Sequence, residues 1–314
     1  MKIVAVVVTF NRLELLKECI TSLRNQTRKL DEIIVVNNDS SDGTKEWLSD
    51  QKDLTKIHQA NLGGAGGFYT GIKVAYENGY DWIWIMDDDA EAESNTLSKM
   101  TVKLSKDIAA ICPDVYDSNN MRVSDHRSMR KNNFIMFYNL QKPLSSDVQN
   151  KNSVKIEVSS FVGPMINSKA IARVGLPIKD FFLHNDDVEY SLRLLEYGDI
   201  ILLPKNKIFH REQNTKTVIE HKIFGKQIFR QIYSQYWIKY FTLRNFYFVL
   251  ILHSQSKLQI YMSIFFTCIR EMILIIFFDD HKTKRIMLVL KSVKDALENN
   301  LTDKIGTIKS LLYS

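Results

Sequence analysis

The sequence predicts an α/β protein, a doubly wound and mostly parallel sheet flanked by helices, followed by a C-terminal helical region. Three observations carry this reading. Continuous apolar runs at residues 3–8, 32–36 and 82–86 have the pattern of strands buried on both faces, as parallel sheets require. Helix-period segments lie between them, through Leu13, Leu16, Ile20 and Leu23 and through Ile72, Ala75 and Tyr76. Beyond about residue 220 Gly and Pro nearly vanish, while Tyr, Phe, Ile and Leu dominate with Lys and Arg interleaved.

The elements follow in order. The β-branched run Ile3–Val8 ends at Thr9-Phe10-Asn11-Arg12, where the first helix begins. The run Glu32–Val36 ends in the polar cluster Asn37–Thr44, and Thr44 opens a second helix. Ile57-His58-Gln59 is a weak strand, and the glycine-rich Asn61–Gly67 leads into a third helix. Trp82–Met86 then runs into Asp87-Asp88-Asp89. Further on, Ile108–Pro113 reads as a strand, residues 117–153 as polar loops, and Val158–Ile166 as a strand broken at Gly163-Pro164. Gly175-Leu176-Pro177 marks a turn before Phe181–Glu189, and a helix through Tyr190, Leu192, Leu194 and Leu195 ends at Gly198. Ile200–Leu203 is a strand, with Ile208-Phe209-His210 just after it. Ligands of such sheets bind beyond the carboxyl ends of the strands. Thr9–Arg12, Asn38–Asp42 and Asp87–Asp89 all fall there, so three polar clusters converge on one crevice.

Composition bounds the function. The 314 residues suffice for one large catalytic domain, residues 1–219, and a smaller appendage, residues 220–314. With 45% hydrophobic and 25% charged residues, a well-buried core is expected. The formal net charge of +6 suits phosphorylated substrates or an anionic membrane surface and is too scattered for nucleic acid. Cys19, Cys112 and Cys268 are too few and too far apart for a disulfide framework or a zinc site, which fits a reducing cytoplasm. The apolar N-terminus is short, lacks a small-residue cleavage site and reads as a strand rather than a signal peptide. Leu258–Phe278 reaches the ~20 residues a bilayer crossing needs, but Arg270-Glu271 sits well inside it. That favours amphipathic helices lying on a membrane surface; helices packed on the core, or on a second copy in a homo-oligomer, are the competing reading.

Three adjacent carboxylates repel one another unless a cation lies between them, and Mn²⁺ or Mg²⁺ is the usual answer for oxygen donors. An acidic turn capping a helix is the ordinary explanation of such a triplet alone; convergence with the other two clusters reverses that preference. His210, after the apolar Ile208-Phe209, is either a core histidine or a third ligand beside Asp87 and Asp89. Asp186-Asp187 and Glu189, next to Phe181-Phe182-Leu183, read either as a site for a general base or as a helix cap. Asn61–Gly67 lacks the lysine and hydroxyl of a phosphate-binding loop and fails the dinucleotide fingerprint. Its glycines, Gly66 and Gly67 among them, would let backbone approach a donor's sugar or ribose closely, or simply form a turn. His58, His126, His221, His253 and His281 show no usable pattern.

Together Val6–Arg12, Val35–Thr44 and the aspartate triplet resemble family 2 glycosyltransferases of the GT-A fold over roughly residues 1–250. More narrowly, Asn61–Phe68 with Trp84–Asp89, Asp186–Arg193 and Leu243-Arg244-Asn245 resemble bacterial galactofuranosyltransferases, as does the tail Val293–Leu297 followed by Lys304-Ile305-Gly306. The resemblance implies an inverting transferase that moves galactofuranose from UDP-galactofuranose to a lipid-linked cell-surface glycan, at the inner face of the cell membrane. A dTDP-rhamnose-dependent rhamnosyltransferase and a catalytically silent nucleotide-sugar binding module are the alternatives. A nucleotidyltransferase would carry a glycine-rich basic loop after the first strand, where this chain has Thr9-Phe10-Asn11-Arg12. By the same resemblance Thr9, Asn11 and Arg12 line the nucleotide site, and Asp39 contacts the uracil or ribose. Asn61, Gly66 and Gly67 border the donor, Asp87 and Asp89 hold Mn²⁺ or Mg²⁺ with His210, and Asp88 faces the donor sugar. Asp187 is the base, and Arg244 binds diphosphate or acceptor. The chain departs from the pattern at Asn185, where galactofuranosyltransferases often have an aromatic residue, and that bears on acceptor stacking.

Overall fold

The computed structural model describes residues 1–137, 140–211, 218–223 and 226–313. The chain forms two compact units: Met1–Arg130, Gln141–Phe182 and Asp186–Glu212 make the first, and Lys131–Leu140, Leu183–Asn185 and Gln213–Ser314 the second. Composition shifts near residue 220; by packing, the second unit begins a few residues earlier and takes in two short internal segments.

The first unit alternates strands and helices from its start: β1 (Ile3–Thr9), α1 (Leu13–Arg24), β2 (Glu32–Asn37), α2 (Thr44–Asp50), β3 (Thr55–His58), α3 (Gly63–Glu77) and β4 (Trp82–Asp87). It continues with β5 (Ala90–Ala92), α4 (Thr96–Thr101), β6 (Ile108–Tyr116), β7 (Arg127–Arg130), β8 (Gln141–Pro143), β9 (Val154–Ile156), β10 (Val158–Ser159) and β11 (Met165–Asn167). Helices α5 (Ser168–Val174) and α6 (Asp186–Leu194) and the long strand β12 (Asp199–His210) complete it. The main sheet has the order β3-β2-β1-β4-β11-β6-β12-β5, with β9 also pairing on β12. Strands β3, β2, β1 and β4 are parallel, in the register Val8↔Val36 and Val8↔Asp87. That register places Thr9, Asn37 and Asp87 at one edge, as a doubly wound sheet requires.

The other half departs from the mostly parallel expectation. Strand β11 runs antiparallel to both β4 and β6, and β5 and β9 run antiparallel to β12. The sheet is therefore mixed. The break at Gly163-Pro164 produces this, because it separates β10 from β11 and sends β11 back along β4; the Trp84 indole N–H closes the turn on the Gly163 carbonyl at 2.9 Å. Residues 117–153, expected as loops, contribute β7 and β8, which form a three-stranded sheet with β10. Strand β12 does not end at Leu203. A bulge across Pro204 restores pairing from Lys207 with Asp114 through Phe209 with Tyr116, so His210 is delivered by a strand. The core lies on both sheet faces: Ile3, Ala5, Val7, Trp84 and Met86 pack on one, Val4, Val6, Val8, Ile83 and Ile85 on the other. Period-two alternation within continuous apolar runs is what two buried faces need.

The second unit carries the hairpin β13 (Val218–Ile223) and β14 (Lys226–Gln231) and four helices, α7 (Trp237–His253), α8 (Lys257–Phe278), α9 (Lys282–Leu297) and α10 (Ile305–Tyr313). Helix α8 buries Ile260, Ser263, Ile264, Thr267, Glu271 and Ile275 along one face. Glu271, the acid inside the apolar stretch, points inward to Arg230 at 3.1 Å and Lys239 at 2.6 Å, and Asp279 pairs with Arg230. By length and composition α8 is also able to cross a membrane.

Candidate active site

The site starts from two interlocked turns. Asn11 and Asp39 both take left-handed backbone, with φ of 54° and 65°. The Asn11 N–H donates to Ser40 Oγ at 2.9 Å, and its side-chain oxygen accepts from the Ser41 N–H at 2.7 Å. Asp42 accepts the Leu13 N–H at 2.8 Å, so the second turn supplies the acceptor for the first turn of α1. Thr9 is buried, its carbonyl accepting the Asn38 N–H, and Asp39 is exposed at the rim. These residues build a rigid polar floor beside the end of β4.

The aspartate triplet closes that floor. Arg12 reaches Asp89 Oδ2 at 2.6 Å and Asp88 Oδ1 at 3.4 Å. Asp88 Oδ2 also accepts the Phe10 N–H at 3.3 Å, so Asp88 is turned toward the β1–α1 turn. His210 Nε2 lies 3.1 Å from Asp89 Oδ1. The Arg211 N–H donates to the Asp89 carbonyl, and its guanidinium bridges Glu18 and Glu91, fixing His210 in register with Ala90. Burial, reinforced by Asp89, pushes the Asp87 carboxyl up to about 7, and burial lifts Asp88 to about 6 against the pull of Arg12. Burial also opposes ionisation of Asp89, but His210 and Arg12 outweigh it and hold that carboxyl below its ordinary value.

The donor set fits a hard divalent cation. Ligand atoms of Asp87, Asp89 and His210 lie within 4.8 Å of one another. Asp89 Oδ1 is buried and accepts no hydrogen bond of good geometry, and His210 Nε2 lies 3.1 Å from it. An orphaned carboxylate oxygen beside an imidazole nitrogen is the arrangement two ligands of one ion adopt.

Helix α6 opens with the second acidic pair. Asp187 Oδ1 accepts the Val188 N–H at 2.8 Å. Burial pushes its carboxyl up to about 6, opposed by that hydrogen bond and by Arg127. Burial, then the Asp187 charge, raises the Asp186 carboxyl well above its ordinary value, with Asp87 adding to the effect. With its carboxyl at about 6, Asp187 is ionised at neutral pH, which is the state a general base needs. Glu189 is committed to Arg193, two bonds of 2.7 Å each, and belongs to the packing of α6.

Two residues that the sequence did not single out also stand here. The His126 ring meets the His210 ring edge to face at 5.1 Å, and His126 Nδ1 lies 2.8 Å from Ser160 Oγ. Burial, then the charge of Arg127, lowers His126 to about 3 and keeps it neutral. Arg127 is fully buried and donates to the carbonyls of Pro113, His126 and Val162. Neither residue lies in a sequence pattern that marks it.

The glycine-rich segment is not a loop. Its glycines form the first turns of α3, and Asn61 Oδ1 accepts the Gly63 N–H at 2.9 Å. A Cβ on Gly67 would lie 2.4 Å from Val8 and 2.9 Å from Asn38, and one on Gly66 would lie 2.4 Å from Leu62. Along the direction of their missing side chains, both glycines make close packing possible. Arg244, expected to bind diphosphate or acceptor, is fully buried within the helical unit, bonded to Asn245 and the Leu301 carbonyl and lying over Tyr240 and Phe241. Its neighbour Asn245 has the more telling position, since its amide holds the carbonyls of Leu183 and His184 in the segment that leads into Asp186.

Comparisons with known proteins agree with this geometry. The description "Glycosyl transferase family 2" matches residues 4–165. Galactofuranosyltransferase GlfT1 of Mycolicibacterium smegmatis is 30% identical over 200 residues, covering 62% of this chain and 65% of that protein. The dTDP-rhamnosyl transferase RfbF of Shigella flexneri is 26% identical over 215 residues, covering 66% of this chain and 68% of that protein. The chain thus aligns with slightly less than two thirds of the GlfT1 length. Among solved structures, GalNAc-T7 with UDP, GalNAc and Mn²⁺ aligns with a TM-score of 0.59 at 13% identity, over 99% of this chain and 56% of that one. TarS 1–349 of S. aureus aligns with a TM-score of 0.55 at 12% identity, over 99% of this chain and 88% of that one. At such identities these likenesses establish the fold alone, a GT-A-like mixed sheet flanked by helices with a C-terminal helical region. The family match spans more than half of the chain, and the chain belongs to glycosyl transferase family 2.

Proposed function

We propose that the protein transfers galactofuranose from UDP-galactofuranose to a hydroxyl of a lipid-linked glycan by a single inverting displacement. The observation that carries the chemistry is the juxtaposition of Asp87, Asp89 and His210, with a buried, unbonded carboxylate oxygen among them. When bound there, Mn²⁺ or Mg²⁺ supplies charge neutralisation to the departing diphosphate. The chain's own residues do the rest. Asp187 takes the proton from the acceptor hydroxyl as that oxygen attacks the anomeric carbon. The nucleotide rests on the turns of Thr9, Asn11, Arg12 and Asp39, where backbone groups are already fixed and little is lost in ordering them. Arg12 supplies the counter-charge to Asp88 and Asp89. An α-linked nucleotide donor gives a β-linked product.

The donor assignment is supported by the GlfT1 likeness. The RfbF likeness favours a second reading, rhamnose from dTDP-rhamnose on the same scaffold. A membrane-face location is supported by α8, which exposes Leu258, Tyr261, Phe265, Ile269, Ile273, Ile276 and Phe277 in one helical stripe opposite its buried residues. A second copy of the chain is the competing occupant of that stripe.

Metal removal tests the mechanism. With a competent donor and acceptor, EDTA is expected to abolish transfer, Mn²⁺ or Mg²⁺ to restore it in the wild type, and neither to restore it in Asp87→Ala. Transfer that persists in EDTA would overturn the metal reading.

A further inference from the structure

Gly63 is the first residue of α3, with φ of +73°, and it faces protein rather than solvent. A Cβ there would lie 2.1 Å from the Phe182 carbonyl oxygen, 2.7 Å from its carbon and 2.8 Å from the Phe182 ring. The Ala65 N–H in the first turn of α3 donates to that same oxygen at 3.2 Å. At the α3 N-terminus the Ala65 N–H is thus taken by a carbonyl of the protein and the Gly63 N–H by Asn61 Oδ1. Phe182 itself has φ of 65° and ψ of −60°, a strained conformation for a non-glycine residue that persists only where its surroundings hold it. His184 and Asn185 also have positive φ, and Asp186-Asp187 follow directly. The peptide at Gly63 is fixed from the nucleotide side too: its carbonyl accepts from Asn38 Nδ2 at 3.0 Å, and Asn38 Oδ1 accepts from Gln59 at 2.6 Å.

We propose that Gly63 is a positioning residue for the base, not a donor-contact residue: its missing side chain lets α3 hold the Phe182 carbonyl and so sets where α6 begins and where the Asp187 carboxylate sits. This rests on the reading of Asp187 as the base. The linkage also explains why a glycine is needed where the Phe182 peptide comes this close. A methyl group at Gly63 must move the Phe182 peptide, and a shift of about 1 Å in a reacting group costs about a hundredfold in rate.

The test is steady-state transfer with Mn²⁺, a titrated nucleotide-sugar donor and a fixed glycan acceptor, beside UDP binding by calorimetry. Gly63→Ala is expected to lower kcat about tenfold to a hundredfold, with donor KM and UDP affinity within about twofold of wild type. Phe182→Gly, which removes the backbone strain without adding volume, guards against misfolding of the first variant. It is expected to lower kcat in the same way while the melting temperature does not fall. Weakened UDP binding with kcat retained in Gly63→Ala would assign the glycine to the donor and overturn the proposal, as would wild-type kcat in Phe182→Gly. Asp187→Asn in the same assay separates the two readings. Normal transfer there removes the base, whereas an inactive Asp187→Asn beside normal glycine and phenylalanine variants removes only the positioning role.

Discussion

At the scale of the residue, the site depends on charges that burial makes costly. Asp187 carries a carboxyl raised to about 6 because it is buried. A raised carboxyl is stabilising in its protonated form, so that contribution is complete in acid and is lost as pH rises through about 6. Asp187→Asn is therefore expected to cut kcat by about 10²–10⁴ while melting at a higher temperature than wild type at pH 8 and at about the same temperature at pH 4. Calorimetric melts at the two pH values check this. For the same reason kcat of the wild type is expected to rise with pH through about 6 and then level off. Arg12, at 2.6 Å from Asp89, offsets a carboxylate cluster that a metal would otherwise neutralise. Arg12→Ala is expected to lower the melting temperature more in EDTA than in Mn²⁺. The meeting of Asp87 and Asp89 with His210 was legible because unusual residue types follow apolar runs. His126 and Arg127 were not, since their roles arise from β7 and the Gly163-Pro164 turn folding back on β6, and no local pattern records that. Asn245 stood inside a recognised motif, but charge drew attention to Arg244 beside it.

At the scale of the element, close backbone approach governs. Helix α3 lies on β1 because Gly67 and Gly71 leave room for Val8 and Val6. Gly67→Ala forces a methyl to 2.4 Å from Val8 and is expected to cost about 1–3 kcal/mol by overpacking, read as a lower denaturant midpoint. The glycine run looked like a ligand loop because glycine is needed both for loops and for helix–sheet contact; spacing alone does not separate the two. The parallel strands β1, β2 and β4 were legible from uninterrupted Val and Ile. The antiparallel β11 has three residues and follows a Gly-Pro break, so its direction is set by pairing with β4 and β6 rather than by its own composition. Likewise Ile200–Leu203 read as a separate short strand, whereas a bulge carries β12 on from there to His210.

At the scale of the whole molecule, the first unit gathers the carboxylates, and helix α8 of the second exposes apolar side chains along one stripe. The exposed stripe of α8 runs for about 20 residues, or ~30 Å of helix. Ile273→Asp with Phe277→Asp is expected to reduce sedimentation with anionic vesicles several-fold while transfer to a short soluble acceptor holds. A shift from dimer to monomer without loss of vesicle binding would assign the stripe to a second copy instead. Polar and apolar faces of α8 were legible as a pattern, but the inward pairing of Glu271 with Arg230 and Lys239 was not, because its partners lie on other elements. The central claim, a family 2 transferase that uses a furanose donor, is tested most directly by a donor panel. Purified protein, Mn²⁺ and a lipid-linked or short galactan acceptor would be given UDP-galactopyranose with and without a mutase that forms UDP-galactofuranose, UDP-glucose, or dTDP-rhamnose, with products read by mass spectrometry. One added hexose is expected only when the mutase is present; transfer from dTDP-rhamnose alone, or from no donor at all, would overturn the furanose assignment.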